Sequence, residues 1–86
     1  MDLEKLRKRI SKFEKKAGFS KTKTKELAKM LQKEAGILSK NNSTKKINHQ
    51  LADILVLLMQ ISNRTKTNFS SEVKKWFEKS KKYIEK

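Results

Sequence analysis

The sequence predicts an all-α protein, a bundle of four helices. Three observations carry that prediction. Apolar residues recur at steps of three and four along four separate stretches. Proline is absent and glycine occurs only at Gly18 and Gly36, which suits helices and provides little for the tight turns of hairpins. Short polar breaks separate the stretches, at Asn41, Asn42 and Ser43 and again near Thr67.

The first helix is expected from Leu3 to Ala17. Leu3, Leu6, Ile10, Phe13 and Ala17 form its apolar stripe, Asp2 is a suitable N-cap, and Gly18 can end it in the left-handed conformation. The second is expected from Thr22 to Lys40, with Ser20, Thr22 or Thr24 as cap and an inward face of Leu27, Met30, Leu31, Glu34, Ala35 and Leu38. The third, Thr44 to Arg64, carries Ile47, Leu51, Ile54, Leu55, Leu58 and Ile61 on one stripe. Val56, Leu57 and Met59 extend its apolar surface around most of the circumference, as a central helix requires. The fourth, Asn68 to Lys86, is capped by Thr67 or Asn68. Phe69, Val73, Trp76, Phe77 and Ile84 are expected to face in, and Lys74, Lys75, Lys79, Lys81, Lys82 and Lys86 to face water. Trp76 and Met59 are read as core.

The chain has 86 residues, one domain spanning residues 1–86. A chain this short buries only about 60–65% of its unfolded surface on folding alone. The core is therefore expected to be completed by a second subunit, in a homodimer or homotetramer whose interface includes Leu51, Leu55 and Leu58. The absence of cysteine excludes disulfides and thiolate metal sites, and the single histidine, His49, excludes a multi-histidine zinc site within one chain. The charged N-terminal MDLEKLRKRISKF has no hydrophobic signal core. The longest apolar run, Ile54 to Met59, is far short of the ~20 residues that span a bilayer. A soluble cytoplasmic protein with no membrane partner is expected.

The formal net charge is +14, from 23 Lys and Arg against 9 Asp and Glu. Such an excess attracts polyanions: nucleic acid, nucleotide phosphates or acidic lipid. Lysine far outnumbers arginine, the usual base-reading residue, so the charge reads as a general field rather than a sequence reader, in part a compositional bias.

Against that basic background, two acids lie on inner faces. Glu34, in LQKEAGIL, shares the second helix's face with Leu31, Ala35 and Leu38. Asp53, in HQLAD, falls near the face of His49 and Gln50 just before the Ile54–Met59 run. Two antiparallel helices would each present one acid beside apolar neighbours. Carboxylates in a partly dry bundle are costly unless a lysine, a proton or a cation neutralises them. Snorkelling to the bundle edge and pairing with Lys33 or Lys40 is one solution. Magnesium, which prefers carboxylate oxygen and keeps waters that phosphate can replace, is another.

These segments resemble the MazG-like all-α nucleoside triphosphate pyrophosphohydrolases, including the dCTP pyrophosphatase branch. That family carries E-x-x-E on one helix and E-x-x-D on the next, in contexts like L-x-E-E-x-G-E-L and E-L-A-D-V-L. LQKEAGIL and HQLADILVLL stand at the corresponding places. FEKKAGFSKTKTKEL is similar to the family's link into the second helix. ISNRTKTNFSSEVKKWFEKSKKYIEK is similar to its closing pattern, a turn and a helix leading to K-(x)-N-x-x-R-Y. The likeness spans nearly the whole chain and implies a MazG-like four-helix bundle. It implies Mg²⁺ as cofactor, and hydrolysis of a nucleoside triphosphate to a monophosphate and pyrophosphate by metal-activated water.

Departures from the pattern carry equal weight. Glu34 matches the first acid of E-x-x-E and Asp53 the last of E-x-x-D. Ile37 and Gln50 hold the other two positions, and Lys33 replaces a further acid. The implied metal ligands are thus Glu34 and Asp53, with Gln50 offering a neutral oxygen. Halving the ligand charge should weaken Mg²⁺ binding severely. In the closing pattern Lys75 and Tyr83 match, Lys82 stands for the arginine and Lys79 for the asparagine. With Lys33, these form the implied phosphate-binding set, in which lysines replace charge that metal would bring.

Three functions follow from this reading. One is a nucleotide- or polyanion-binding MazG-like protein with weak or no hydrolysis. The second is an active Mg²⁺-dependent pyrophosphohydrolase drawing on Glu26, Glu34, Gln50 and Asp53 or on acids from a neighbouring subunit, although Glu26 lies ~12 Å along the helix from Glu34, too far to share one ion. The third is a basic helical nucleic-acid binder using Trp76, Phe77 and Tyr83 among lysines as a stacking surface. His49 is a general-base candidate beside Asp53, set against the commoner roles of capping, packing or facing water.

Overall fold

The computed structural model describes residues 2–84, and these form four α-helices with no strand among them. α1 spans Leu3–Ala17, α2 Thr24–Lys40, α3 Thr44–Thr65 and α4 Phe69–Ser80, followed by a 3₁₀ turn over Lys81–Tyr83. No helix is long and apolar enough to cross a membrane among the described residues.

The ends follow local chemistry. The Asp2 side chain accepts from the Glu4 and Lys5 amides, and Gly18 closes α1 at φ +84°, where a Cβ would be strained. α2 starts later than expected, with Lys23 at the cap position and no side-chain cap bond, so Ser20, Thr22 and Thr24 do not cap it. Lys66 ends α3 at φ 55°, a left-handed conformation unusual for lysine. The Asn68 side chain caps α4 through the Ser71 amide. α4 is also shorter than expected, and Lys86 lies outside the described residues.

α2 and α3 form an antiparallel hairpin across Asn41–Ser43. Leu27 and Met30 of α2 lie beside Val56 of α3, while Glu34 reaches Gln50. α1 crosses the later half of α3 and α4 leans on α1. α3 is the central helix: Gln50 and Met59, about two and a half turns apart and so on opposite sides, are both buried. The buried apolar set is small, comprising Ile10, Leu27, Leu57 and Met59.

The inward faces need three corrections. On α1, Phe13 is 58% exposed and Ala17 is exposed, while Glu14 takes the buried slot at 1%. The helix is rolled so that this carboxylate reaches Arg64 of α3. On α2, Leu31, Glu34 and Leu38 are half-buried as expected, but Met30 and Ala35 turn outward. On α4 and the turn after it, Trp76, Phe77 and Ile84 are exposed rather than core, because α4 meets the body mainly through α1. Phe69 and Val73 are half-buried there, and the apolar stripe continues beyond the support.

Candidate functional site

Glu34 and Asp53 line one cleft of about 220 Å³ between α2 and α3, with Met30, Val56, Leu57 and Gln60 as its other walls. The hairpin makes this geometry. Leu27, Leu31 and Leu38 hold α2 against α3, and the same face carries Glu34 inward. Gln50 Nε2 donates to Glu34 Oε2. Gln50 is buried, and its Oε1 has no hydrogen-bond partner. Asp53 lies one turn further along α3, with His49 Nε2 3.3 Å from its Oδ2. That histidine side chain is 78% exposed and faces water.

The two cleft carboxylates fit a Mg²⁺ ion in kind, and Gln50, which holds Glu34, carries a buried, unpartnered amide oxygen. They match the ion that is held by one or two carboxylates plus phosphate and water. A self-sufficient cage is absent among the described residues, where no three His, Cys, Asp or Glu side chains converge. Ile37, at a position where the family pattern has an acid, is 39% exposed and offers no donor. Glu26 is exposed in the first turn of α2 and does not line the cleft.

None of the lysines that the resemblance implies lines the cleft within one chain. Lys33 is exposed on α2. Lys75 pairs with Glu72 at 3.3 Å, Lys79 is exposed on α4, and the Lys82 ammonium sits 5.2 Å from the Tyr83 ring centroid. All three belong to the segment that leans on α1.

A second polar cluster, which the stripe reading missed, lies between α1 and α3. Arg64 Nη1 donates to Glu14 Oε1 at 3.1 Å and Nη2 to Glu14 Oε2, a bidentate pair. The same guanidinium donates to the Thr22 carbonyl at 2.7 Å and the Phe19 carbonyl at 2.8 Å. It thereby fixes the α1–α2 loop. Gln60 and Asn63 also donate to Glu14, and Arg7 donates to Asn63 Oδ1 at 2.9 Å. Burial pushes the Glu14 carboxyl up, but the Arg64 hydrogen bond and charge, with Gln60 and Asn63, outweigh it and hold the group below the ordinary glutamate value. The recorded bonds of this cluster all close within the fold, so it is structural. Arginine itself was the available signal: Arg7, Arg9 and Arg64 are the arginines of a lysine-rich chain, and two of them build this junction. A planar fork is what a buried carboxylate requires.

No protein-family model, no curated protein and no solved structure matches the chain.

Proposed function

We propose that the chain is a MazG-like protein that binds a nucleotide or another phosphate polyanion at the α2–α3 cleft, with weak or no hydrolysis. One observation carries the reading: Glu34 and Asp53 meet in one cleft from antiparallel helices, with Gln50 holding Glu34. Those residues and spacings carry the family resemblance. Mg²⁺, held by Glu34 and Asp53 with Gln50 Oε1 nearby, would neutralise phosphate charge when bound. Lys33 would add charge from α2, and Lys75, Lys79, Lys82 and Tyr83 from α4. Two acids where the family pattern has four make the ion weak and water activation poor. A cytoplasmic location goes with this reading, since nucleotide is a cytoplasmic ligand. The exposure of Leu51 at 52% and Leu55 at 37% supports a homodimer or homotetramer that completes the core, with Leu58 at the same interface.

A second reading rests on a specific observation. Trp76, Phe77 and Tyr83 are exposed among lysines, as a nucleic-acid stacking surface would be.

Equilibrium binding of a panel of NTPs and dNTPs with Mg²⁺ or Mn²⁺, run beside pyrophosphate release, tests the reading. Nucleotide should bind with little or no pyrophosphate formed, and Glu34→Gln and Asp53→Asn should both weaken binding. Robust turnover abolished by either variant would instead make the chain an active pyrophosphohydrolase. No nucleotide binding, with oligonucleotide binding that collapses from low to moderate salt, would establish the nucleic-acid reading.

A further inference from the structure

A polar hollow of about 300 Å³ lies where α1, the end of α3 and the start of α4 meet, lined by Glu4, Arg7, Asn63, Lys66, Thr67 and Asn68. It shares no lining residue with the α2–α3 cleft. Arg7 forms its half-buried wall. The guanidinium is held in place, since Nε and Nη2 donate to Glu4 and Nη1 donates to Asn63 Oδ1 at 2.9 Å. A guanidinium has more N–H groups than these bonds use, and one on each terminal nitrogen remains. Lys66 brings a second cation, with no ion-pair partner among the described residues. Its backbone sits at φ 55°, a conformation that costs any residue with a Cβ. At the end of α1 the same task falls to Gly18, at φ +84°. The chain thus places a lysine where glycine would hold the turn more cheaply, and does so at this hollow. α4 begins here as well. Asn68 occupies the Ser71 amide, and the amides ahead of it have no acceptor within the helix.

We infer that this hollow is a metal-independent site for a phosphate group, as inorganic phosphate or a small phosphate monoester, held between Arg7 and Lys66. The charges select an anion: the two cations outweigh the single carboxylate of Glu4, and the positive end of α4 adds to them. The donor set selects phosphate among anions. Arg7 offers a planar pair of N–H groups and Lys66 a point charge. A tetrahedral dianion has oxygens for both at once, whereas a carboxylate is satisfied by the guanidinium alone. Glu4 and Asn63 fix the Arg7 side chain before any ligand arrives, so little side-chain freedom is lost on binding. The left-handed Lys66 fits the same role, because backbone strain persists where it serves a site. The hollow stands apart from the α2–α3 cleft and does not rest on the reading of that cleft, which relies on Mg²⁺.

The experiment is titration of the full chain with inorganic phosphate and with glycerol phosphate, in EDTA at fixed ionic strength, followed by the NMR shifts of the backbone amides. The Lys66, Asn68 and Phe69 amides should shift together and saturate at millimolar ligand. Acetate should bind at least about tenfold more weakly. Lys66→Gly should raise the melting temperature, since glycine takes the left-handed turn without strain, and should weaken phosphate at least about tenfold. Lys66→Asn, which also tolerates that conformation, should lose phosphate as well, so the loss follows the ammonium rather than the turn. Lys25→Gln removes an equal charge from an exposed site on α2 and should leave the affinity unchanged. A Lys66→Gly chain that binds phosphate as the wild type does would overturn the inference, and so would equal affinity for acetate or equal losses in Lys66→Gly and Lys25→Gln. Shifts confined to the amides of Glu34 and Asp53 would overturn it too, while leaving the cleft reading in place.

Discussion

Glu14 on α1 and Glu34 on α2 both reach toward α3, one into a closed junction and the other into an open cleft. Arg64, Gln60 and Asn63 surround Glu14, which is 1% exposed. Glu34 has Gln50 as its hydrogen-bond partner among the described residues and lies half-buried on the cleft wall. The difference separates two uses of a buried acid. A carboxylate with a bidentate guanidinium and two amides has no capacity left for a ligand. One held by a single amide keeps lone pairs that face the cleft.

The largest effect should come from breaking the closed junction. Glu14→Ala leaves the half-buried Arg64 with its two loop carbonyls and no counter-charge, and Arg64→Met leaves the buried Glu14 without its guanidinium. Removing one partner of a buried pair costs about 3–5 kcal/mol, much of the stability of a domain this small. Urea unfolding should show either variant largely unfolded or sharply destabilised. A midpoint within error of the wild type would place Glu14 among the surface acids.

The pH dependence sharpens the same contrast. Glu14 is held below its ordinary value of 4.5, so the folded state keeps the carboxylate charged where the unfolded state protonates it. Its contribution is therefore complete above pH 4.5 and disappears as pH falls through the lowered value. Acid titration of thermal stability should show that loss in the wild type. The loss should be diminished in Glu14→Gln, measured with enough residual fold to melt cooperatively.

A substitution in the open cleft should behave differently. Gln50→Glu sets a second carboxylate against Glu34 and restores an acid that the family pattern has. Without divalent ion the like charges should lower the melting temperature. With millimolar Mg²⁺ it should rise again, by mass action on the folded state. The wild type should respond to Mg²⁺ far less. Equal responses would mean that Gln50 is no substitute for a ligand.

The smallest effect lies outside both sites. Gly36 is exposed within α2, and a Cβ there meets nothing within 4 Å. Gly36→Ala should stabilise the chain by about 0.4–1 kcal/mol through the unfolded state and helix propensity, without altering nucleotide binding.

Much of the fold is legible in the sequence. Periodicity finds all four helices, Asp2 and Gly18 mark the ends of α1, and the all-round apolar run identifies α3 as central. The convergence of Glu34, Gln50 and Asp53 follows from an antiparallel hairpin with a three-residue link, because its register is short-range. Two misreadings have one cause: stripes show which residues can face in, not which face finds a partner. Phe13 yields its slot to Glu14 because Arg64, fifty residues away, supplies a guanidinium. Trp76 and Phe77 keep helical spacing, yet α4 leans mainly on α1. The C-terminal lysines are likewise placed by tertiary packing, which sets them away from the cleft of their own chain.

Side-by-side measurement of Glu34→Gln and Glu14→Gln tests the contrast between the two glutamates most directly. Melting temperature and nucleotide affinity are read on both, the latter at fixed Mg²⁺ and moderate salt. Glu34→Gln should melt within about 1 kcal/mol of the wild type, as a partly solvated group with one partner should, yet lose nucleotide binding. Glu14→Gln should lose stability, with binding intact in whatever fraction remains folded. A Glu34→Gln variant that binds nucleotide as tightly as the wild type would contradict the assignment of the α2–α3 cleft as the phosphate site.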